Sequence, residues 1–340
     1  MSISRNIQKL IDISNLYYKN GYSKSDIAKL VGVSRQSVAN YLQEALNEGI
    51  VEIIIHDPFQ RNSFLAKKMM ETTGLKRVVV IPSQSKDSSS LKRNIALASV
   101  ELIDEIINYD DKVGISWGGT VKELAENYNG SPKKDAILIP LMGGFGRTEP
   151  SQQVNIIVQS LSEKMSSSCL QLNAPLLVNS HDSLEAFLKN KEIEMIINNW
   201  ENIDSAIIGI GDNIFLTNKN PLVFDSFSYK YRKLLLKKQA VGDICWRFFN
   251  YNGEEIWNSE IPLNVISIKL EQLRKIKNKI CLAGGKDKAY AIFGAIQGGF
   301  IDYLVTDDET ANEIIKLYSY SELKKQKIIS NAIQSQEGID

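Results

Sequence analysis

SDIAKLVGVSRQSVANYLQEALNEGIVEI, residues 25–53, holds two short helical patterns separated by a glycine and a serine. Ser23 suits an N-cap for a helix over about 24–31, because its hydroxyl can take an orphan N–H of the first turn; Asp26 sits near that helix's positive end. Ile27, Ala28 and Leu30 are expected to supply its buried face. Gly32 permits the positive φ of a sharp turn. Ser34 then caps a second helix over about 35–47, with Val38, Leu42 and Leu46 inward, and Gly49 ends it. Upstream, Ile7, Leu10, Ile11, Ile13, Leu16 and Tyr17 fall at helical spacing, one buried stripe of a helix over 6–19 that stops at Gly21.

Two helices joined by a short turn containing glycine describe a helix-turn-helix. In that motif the N-terminal residues of the second helix meet base edges in the major groove. Here those residues are Ser34, Arg35, Gln36, Ser37, Asn40 and Tyr41, expected to point outward. Arginine forks onto guanine, and glutamine or asparagine onto adenine. An ordinary helical hairpin would also show a polar face to solvent, but caps, turn and polar tip agree at the right spacing, which favours DNA. Residues 50–56, IVEIIIH, have strand composition and fit one arm of a small β-wing. Residues 1–46 carry six basic and three acidic side chains. One copy would bind phosphates weakly, so two or more copies per operator are expected.

The composition excludes several classes. The chain has 340 residues and a formal net charge of zero, so any anion-binding surface is local. Its three cysteines, Cys169, Cys245 and Cys281, are far apart and odd in number, which fits a reducing compartment and offers no disulfide or metal framework. No metal or cofactor is expected. No run of about eighteen apolar residues occurs, and the N-terminus lacks a signal-peptide core, so a cytoplasmic location is expected. With only His56 and His181, histidine chemistry is limited.

After DPFQRNS the pattern changes, which divides the chain into a first domain over 1–56, a second over 57–320 and a polar tail over 321–340. The runs 78–82, 112–116, 136–141, 203–211, 265–270, 279–285 and 302–306 are apolar and β-branched. Helical patterns over 90–108, 120–128, 153–166, 183–199 and 287–297 alternate with them. Strands buried on both faces and separated by helices predict a doubly wound, mostly parallel α/β sheet. Residues 229–238, YKYRKLLLKK, suggest a solvated amphipathic helix, and Thr306 or Asp308 is the expected cap of the last helix.

Glycines cluster at the ends of these strands: Gly118 and Gly119 before Thr120, then Gly143, Gly144 and Gly146, then Gly209 and Gly211, then Gly284 and Gly285 ahead of Lys286 and Lys288. Open α/β sheets bind ligands at the carboxyl ends of their strands. Glycine lets backbone N–H groups approach an anion, and a helix N-terminus favours negative charge. Any one of these turns could be structural; four of them with Thr120 and two lysines favour a small anionic ligand. Neither dinucleotide nor nucleoside-triphosphate fingerprints occur.

Residues 17–53 are similar to the DNA-binding segment of the SorC family of bacterial sugar-responsive transcriptional regulators. GISWGGTVKELA, PLMGGFGR, NIIVQSLSEKM, LNAP, DSAIIGIGD, AVGDICWRFFNYNG and LAGGKDKAYAIFGAIQGGFIDYLVTDDETA resemble its effector domain, in order. The resemblance implies a helix-turn-helix followed by a sugar-phosphate-binding domain related to phosphosugar isomerases and deaminases. It implies homo-oligomers, usually tetramers, that change their affinity for operator DNA when a phosphorylated sugar binds. It places the phosphate on Gly119, Thr120 and Lys288, beside Gly118, the sugar hydroxyls on Gln153 and Asp243, and the backbone of Gly144 and Gly211 in the wall. Relatives that hold a second phosphate can carry arginine where this chain has Met142, so a monophosphate is favoured; Arg147 lies further along. The alternative is a phosphosugar isomerase or deaminase with an attached DNA-binding domain. Such chemistry needs a placed carboxylate base, and Asp243 is the acid the sequence offers, with no second one evident beside it. A free sugar as effector, or covalent capture of an aldose by a lysine, stays open.

Overall fold

The computed structural model describes residues 2–51, 58–83, 87–145, 153–212, 229–256 and 264–321. The chain forms two compact units, Met1–Asp57 and Pro58–Asp340.

The first unit is helical. α1 (Ser2–Ser14) runs into a π-helical turn over Asn15–Lys19, and α2 (Lys24–Val31) and α3 (Arg35–Asn47) follow. Ser23 and Ser34 cap as their chemistry dictates, accepting from the N–H groups of Asp26 and Ser37, and Gly32 adopts a φ of 70° between the two helices. Ile13, Ile27, Ala28, Val38 and Leu42 close a small core, with Leu16, Tyr17 and Val31 against it. Leu30 is not part of that face: it is 64% exposed. It lies about 200° around the helix from Ala28 at 3.6 residues per turn. Ile7 is also exposed, and Ala45 takes the buried place expected of Leu46, which is only half-buried. The strand expected at 50–56 falls mostly on residues outside those described, and so do His56, Gly146 and Arg147.

The second unit opens with α4 (Pro58–Thr73) and is built on β1 (Arg77–Ile81), α5 (Ser88–Ile106), β2 (Lys112–Ile115), α6 (Gly119–Asn127), β3 (Ile137–Pro140), α7 (Val154–Met165), β4 (Ser168–Cys169), α8 (His181–Leu188), α9 (Lys191–Asn198) and β5 (Ser205–Ile208). It continues with α10 (Tyr229–Lys237), β6 (Ala240–Ile244), β7 (Arg247–Asn250), α11 (Leu270–Lys275), β8 (Asn278–Leu282), α12 (Ala289–Gln297), β9 (Tyr303–Asp307) and a helix over 308–321. Among the described residues seven strands form one sheet in the order β1-β9-β8-β5-β2-β3-β4, with every pairing parallel. Strands this apolar must be covered on both faces, and the alternating helices cover them. Ile207 and Ile208 in β5, Ile280 and Cys281 in β8, and Val113 and Ile115 in β2 are at most 1% exposed.

Three segments depart from the sequence expectation. Residues 265–270 form no sheet strand; they make isolated antiparallel bridges, Ser267 to Met142 and Val265 to Leu177, before α11 begins at Leu270. Burial of Val265, Ile266 and Ile268 satisfies their composition, while their backbone pairs with two loops instead of a ladder. The single helix expected over 183–199 is two, because Asn190 interrupts it and caps α9 by accepting from Glu192 N–H and Ile193 N–H. A two-stranded antiparallel sheet of β6 and β7 was not foreseen. Its turn residues Cys245 and Trp246 take φ values of 51° and 63°, positions where glycine or asparagine is the usual signal. The Asp243 carboxylate helps hold that turn by accepting the Trp246 N–H at 3.0 Å. In addition, α10 is not merely solvated, since Tyr231, Leu234 and Leu235 are buried. The cap of the helix over 308–321 is Asp307, which accepts from Thr310 N–H at 2.9 Å, in place of Thr306 or Asp308.

Ile280 is fully buried in β8 between β5 and β9. Ile280→Ala is expected to lower the unfolding free energy by about 2–5 kcal/mol, read by urea denaturation; a loss well under 1 kcal/mol would contradict the sheet order.

Candidate effector site

Parallel pairing places the carboxyl ends of β2, β5 and β8 side by side, and the glycine turns that follow them enclose a cavity of about 380 Å³. From β2 come Trp117, Gly118, Gly119 and Thr120, where α6 begins. From β5 come Gly209, Ile210, Gly211 and Asp212. Ser116 Oγ ties these two turns together by accepting the Gly209 N–H at 2.8 Å. Gly211 and Asp243 bond reciprocally through their backbones, N–H to O at 3.0 and 3.3 Å. A Cβ at position 211 would lie 2.0 Å from Asp243 Oδ1, so this approach of hairpin to turn requires glycine.

Beyond β8, Gly284 and Gly285 lead into a short 3₁₀ turn, Lys286–Lys288, and then α12. Asp307 Oδ2 accepts the Gly285 N–H at 2.7 Å and fixes the turn. Lys288 lies across the cavity floor and donates through Nζ to Ile210 O at 2.7 Å. Burial holds its pKa below the ordinary lysine value; Lys92 pushes the same way, while Asp212 and Asp243 oppose it. The Asp243 carboxyl is raised from 3.8 to about 6, first by burial and then by the charge of Asp212, against the Trp246 N–H and Lys288. Burial also pushes the Cys245 thiol upward, which makes it a poor nucleophile although it lines the cavity.

Six residues expected to contact the effector therefore meet here: Gly118, Gly119, Thr120, Gly211, Asp243 and Lys288. Two others do not line the cavity. Gly144 is engaged in the loop, its N–H donated to Ala174 O at 2.8 Å, and Gln153 donates through Nε2 to Phe145 O at 2.7 Å. Gln153 stands at the start of α7 but makes no side-chain cap. Met142 does reach the cavity and gives it an apolar wall.

Among the lining residues absent from the sequence expectation are Lys92, Asp212 and Trp246. Lys92 comes from α5, and its Nζ lies 3.3 Å from where a Gly119 Cβ would be. No spacing within α5 announces that approach. Asp212 is the second acid that the sequence did not disclose; it stands one position past the glycine turn, and only the convergence of β5 with β6 puts it near Asp243. Trp246 is buried and also faces the cavity, packed on Phe145 with ring centroids 5.1 Å apart.

At the candidate DNA face, Arg35, Gln36 and Asn40 are exposed at the start of α3, and Gln36 Nε2 donates to Asn40 Oδ1 at 3.2 Å. Ser34 and Ser37 share a hydroxyl contact of 2.8 Å. Tyr41 does not point freely outward: it is half-buried, accepts from Lys9 Nζ at 3.2 Å and carries that ammonium over its ring.

Residues 57–316 match the family described as "Putative sugar-binding domain". The chain belongs to that family. It is 30% identical over 310 residues to the deoxyribonucleoside regulator of Bacillus subtilis (strain 168), covering 91% of this chain and 97% of that protein. It is 27% identical to the sorbitol operon regulator of Klebsiella pneumoniae, covering 93% of this chain and the whole of that one. The crystal structure of the full-length Klebsiella regulator, SorC, superposes with a TM-score of 0.70 at 26% identity, over 91% of this chain and 98% of that one. The resemblance to SorC-type regulators seen in the motifs thus extends through the fold. The relatives are transcriptional regulators, and the chain is a regulator of that kind rather than an enzyme.

The Asp243 carboxyl has a sign that can be checked. The folded state holds its proton more tightly than the unfolded chain, so its contribution to stability is full below about pH 3.8 and is lost as pH rises through about 6. Asp243→Asn removes this titration. Its unfolding free energy relative to the wild type should grow by up to about 3 kcal/mol between about pH 4 and pH 7, followed by urea denaturation. A difference independent of pH would mean that the carboxyl is not perturbed.

Proposed function

We propose that this chain is a DNA-binding regulator of carbohydrate metabolism whose affinity for its operator is set by a phosphorylated sugar, a monophosphate in preference to a bisphosphate. The observation that carries the proposal is the pairing of Lys288 with the Gly118–Thr120 turn in one cavity at the strand ends. The amides at the start of α6 favour an anion. Lys288, short of hydrogen-bond partners for an ammonium and with its charge disfavoured by burial, gains from a phosphate beside it. Asp243 offers an acceptor for sugar hydroxyls, and Met142 stands where a second phosphate would want a cation.

The α2–α3 pair is the DNA reader, a helix-turn-helix with Ser34, Arg35, Gln36, Ser37 and Asn40 at its tip and Tyr41 steadied by Lys9. The chain works as a homo-oligomer, with a tetramer as the reading, in the bacterial cytoplasm. Effector binding orders the glycine turns and favours one arrangement of subunits over another. That shifts DNA affinity only to the extent that the effector binds the two arrangements differently. The named relatives, a deoxyribonucleoside regulator and a sorbitol operon regulator, fit this class of effector.

Thermal-shift titration against sugar monophosphates, bisphosphates and free sugars tests the effector. One monophosphate should stabilise the wild type by about 2.7 kcal/mol at a hundredfold excess over its dissociation constant, and Lys288→Ala should abolish the shift. Stabilisation by free sugars alone would remove the phosphate. For DNA, Arg35→Ala is expected to weaken operator binding by roughly 1–3 kcal/mol at fixed salt without changing the melting temperature, measured by fluorescence anisotropy. Unchanged affinity would move recognition off α3.

A further inference from the structure

Asp212 is a poor fit to a cavity built for an anion. It lines the same space as Lys288 and Thr120, and its charge repels a phosphate. Its Oδ1 is buried and has no hydrogen-bond partner. Buried polar groups in folded proteins are almost always paired, and leaving a charged one unpaired is expensive. The neighbouring groups give that oxygen no hydrogen bond, although Lys288 attracts its charge. Asp243 spends Oδ2 on the Trp246 N–H, and Lys288 directs its hydrogen bond to Ile210 O. No ion pair joins Asp212 to a lysine or arginine among the described residues. An unpaired acceptor facing an otherwise well-formed site points to a partner that arrives with the ligand.

We infer that Asp212 is the residue with which the cavity selects among phosphorylated sugars: its Oδ1 accepts a hydroxyl hydrogen from the sugar and makes that hydroxyl a requirement for binding. The inference rests on the sugar-phosphate reading above and adds the selecting group to it. A phosphate anchored at the Gly118–Thr120 turn and Lys288 supplies affinity common to every sugar phosphate. Asp212 subtracts from that common affinity by repulsion and returns more than it subtracts only to a ligand carrying the hydroxyl. A site whose buried acceptor is left unpaired by a deoxy analogue rejects it far more strongly than an apolar pocket rejects a missing methylene. The arrangement also keeps inorganic phosphate from acting as an effector.

The test uses the full chain as wild type, Asp212→Ala and Asp212→Asn. Calorimetric titration is run with glucose 6-phosphate, fructose 6-phosphate, sorbitol 6-phosphate, ribose 5-phosphate, the corresponding free sugars and inorganic phosphate. The tightest-binding sugar phosphate should lose roughly 10- to 100-fold in affinity in Asp212→Ala, while inorganic phosphate binds as well as before or more tightly. Asp212→Asn keeps an acceptor oxygen and should recover part of the loss. The ligand-free Asp212→Ala protein should melt at the same temperature as the wild type or higher, since an unpaired buried oxygen has been removed. Parallel weakening of sugar phosphate and inorganic phosphate, or unchanged sugar-phosphate affinity, overturns the assignment. If the wild type binds only free sugars, the phosphate reading fails on its own; loss of free-sugar affinity in Asp212→Ala would still uphold Asp212, and no loss would overturn it.

Discussion

Parallel pairing of β8, β5 and β2 is the constraint from which the site follows. Strands that run the same way must end at the same edge, and each must turn there into a helix or loop. The register Ile207 to Ile280 and Ile115 to Ile207 sets the three ends level. Three turns then share one edge, and glycine lets each of them fold back tightly. The cavity is what lies between them, so the sheet's core and the site are one construction. Isoleucines at 207 and 280, wholly buried, anchor the turns that carry Gly211 and Lys288.

The hairpin of β6 and β7 completes the enclosure. It reaches the sheet edge by the reciprocal bonds of Gly211 and Asp243, with Gly242 close to Gly211 O. That contact brings a carboxylate to within reach of a buried lysine. The result is a mixed field: Lys92 and Lys288 face Asp212 and Asp243 in one cavity. A cavity with cations alone would take any anion. Cations beside an unpaired acceptor suit a ligand that has both a negative end and hydroxyl donors, which is the chemistry of the proposed sugar phosphate.

Much of this was legible in the sequence, for local reasons. Ser23, Gly32 and Ser34 act through chemistry confined to one helix end, and they do in the fold what their spacing implies. Apolar β-branched runs announced six of the seven sheet strands, and β4, two residues long, was too short to carry a signal. The run 265–270 misled because burial, not pairing, accounts for its composition. The hairpin was hidden because Cys245 and Trp246 occupy left-handed positions with no glycine to mark them. At the site, Gly118 to Thr120 and Lys288 could be seen beside their strands. Lys92 and Asp212 could not, since each acquires its role from a neighbour distant in sequence. Gly144 and Gln153 differ again: their motif resembles the family's, while in this fold Gly144 N–H donates to Ala174 O and Gln153 Nε2 to Phe145 O.

A phosphorus NMR titration of a sugar monophosphate into the full chain tests the central claim most directly, because it watches the phosphate itself. The account predicts a saturable displacement of the phosphoester resonance at one ligand per chain, reversed by competition with excess inorganic phosphate and absent when Gly119→Val displaces Lys92 and fills the turn. Sugar binding detected by calorimetry with the phosphoester resonance unmoved would contradict it.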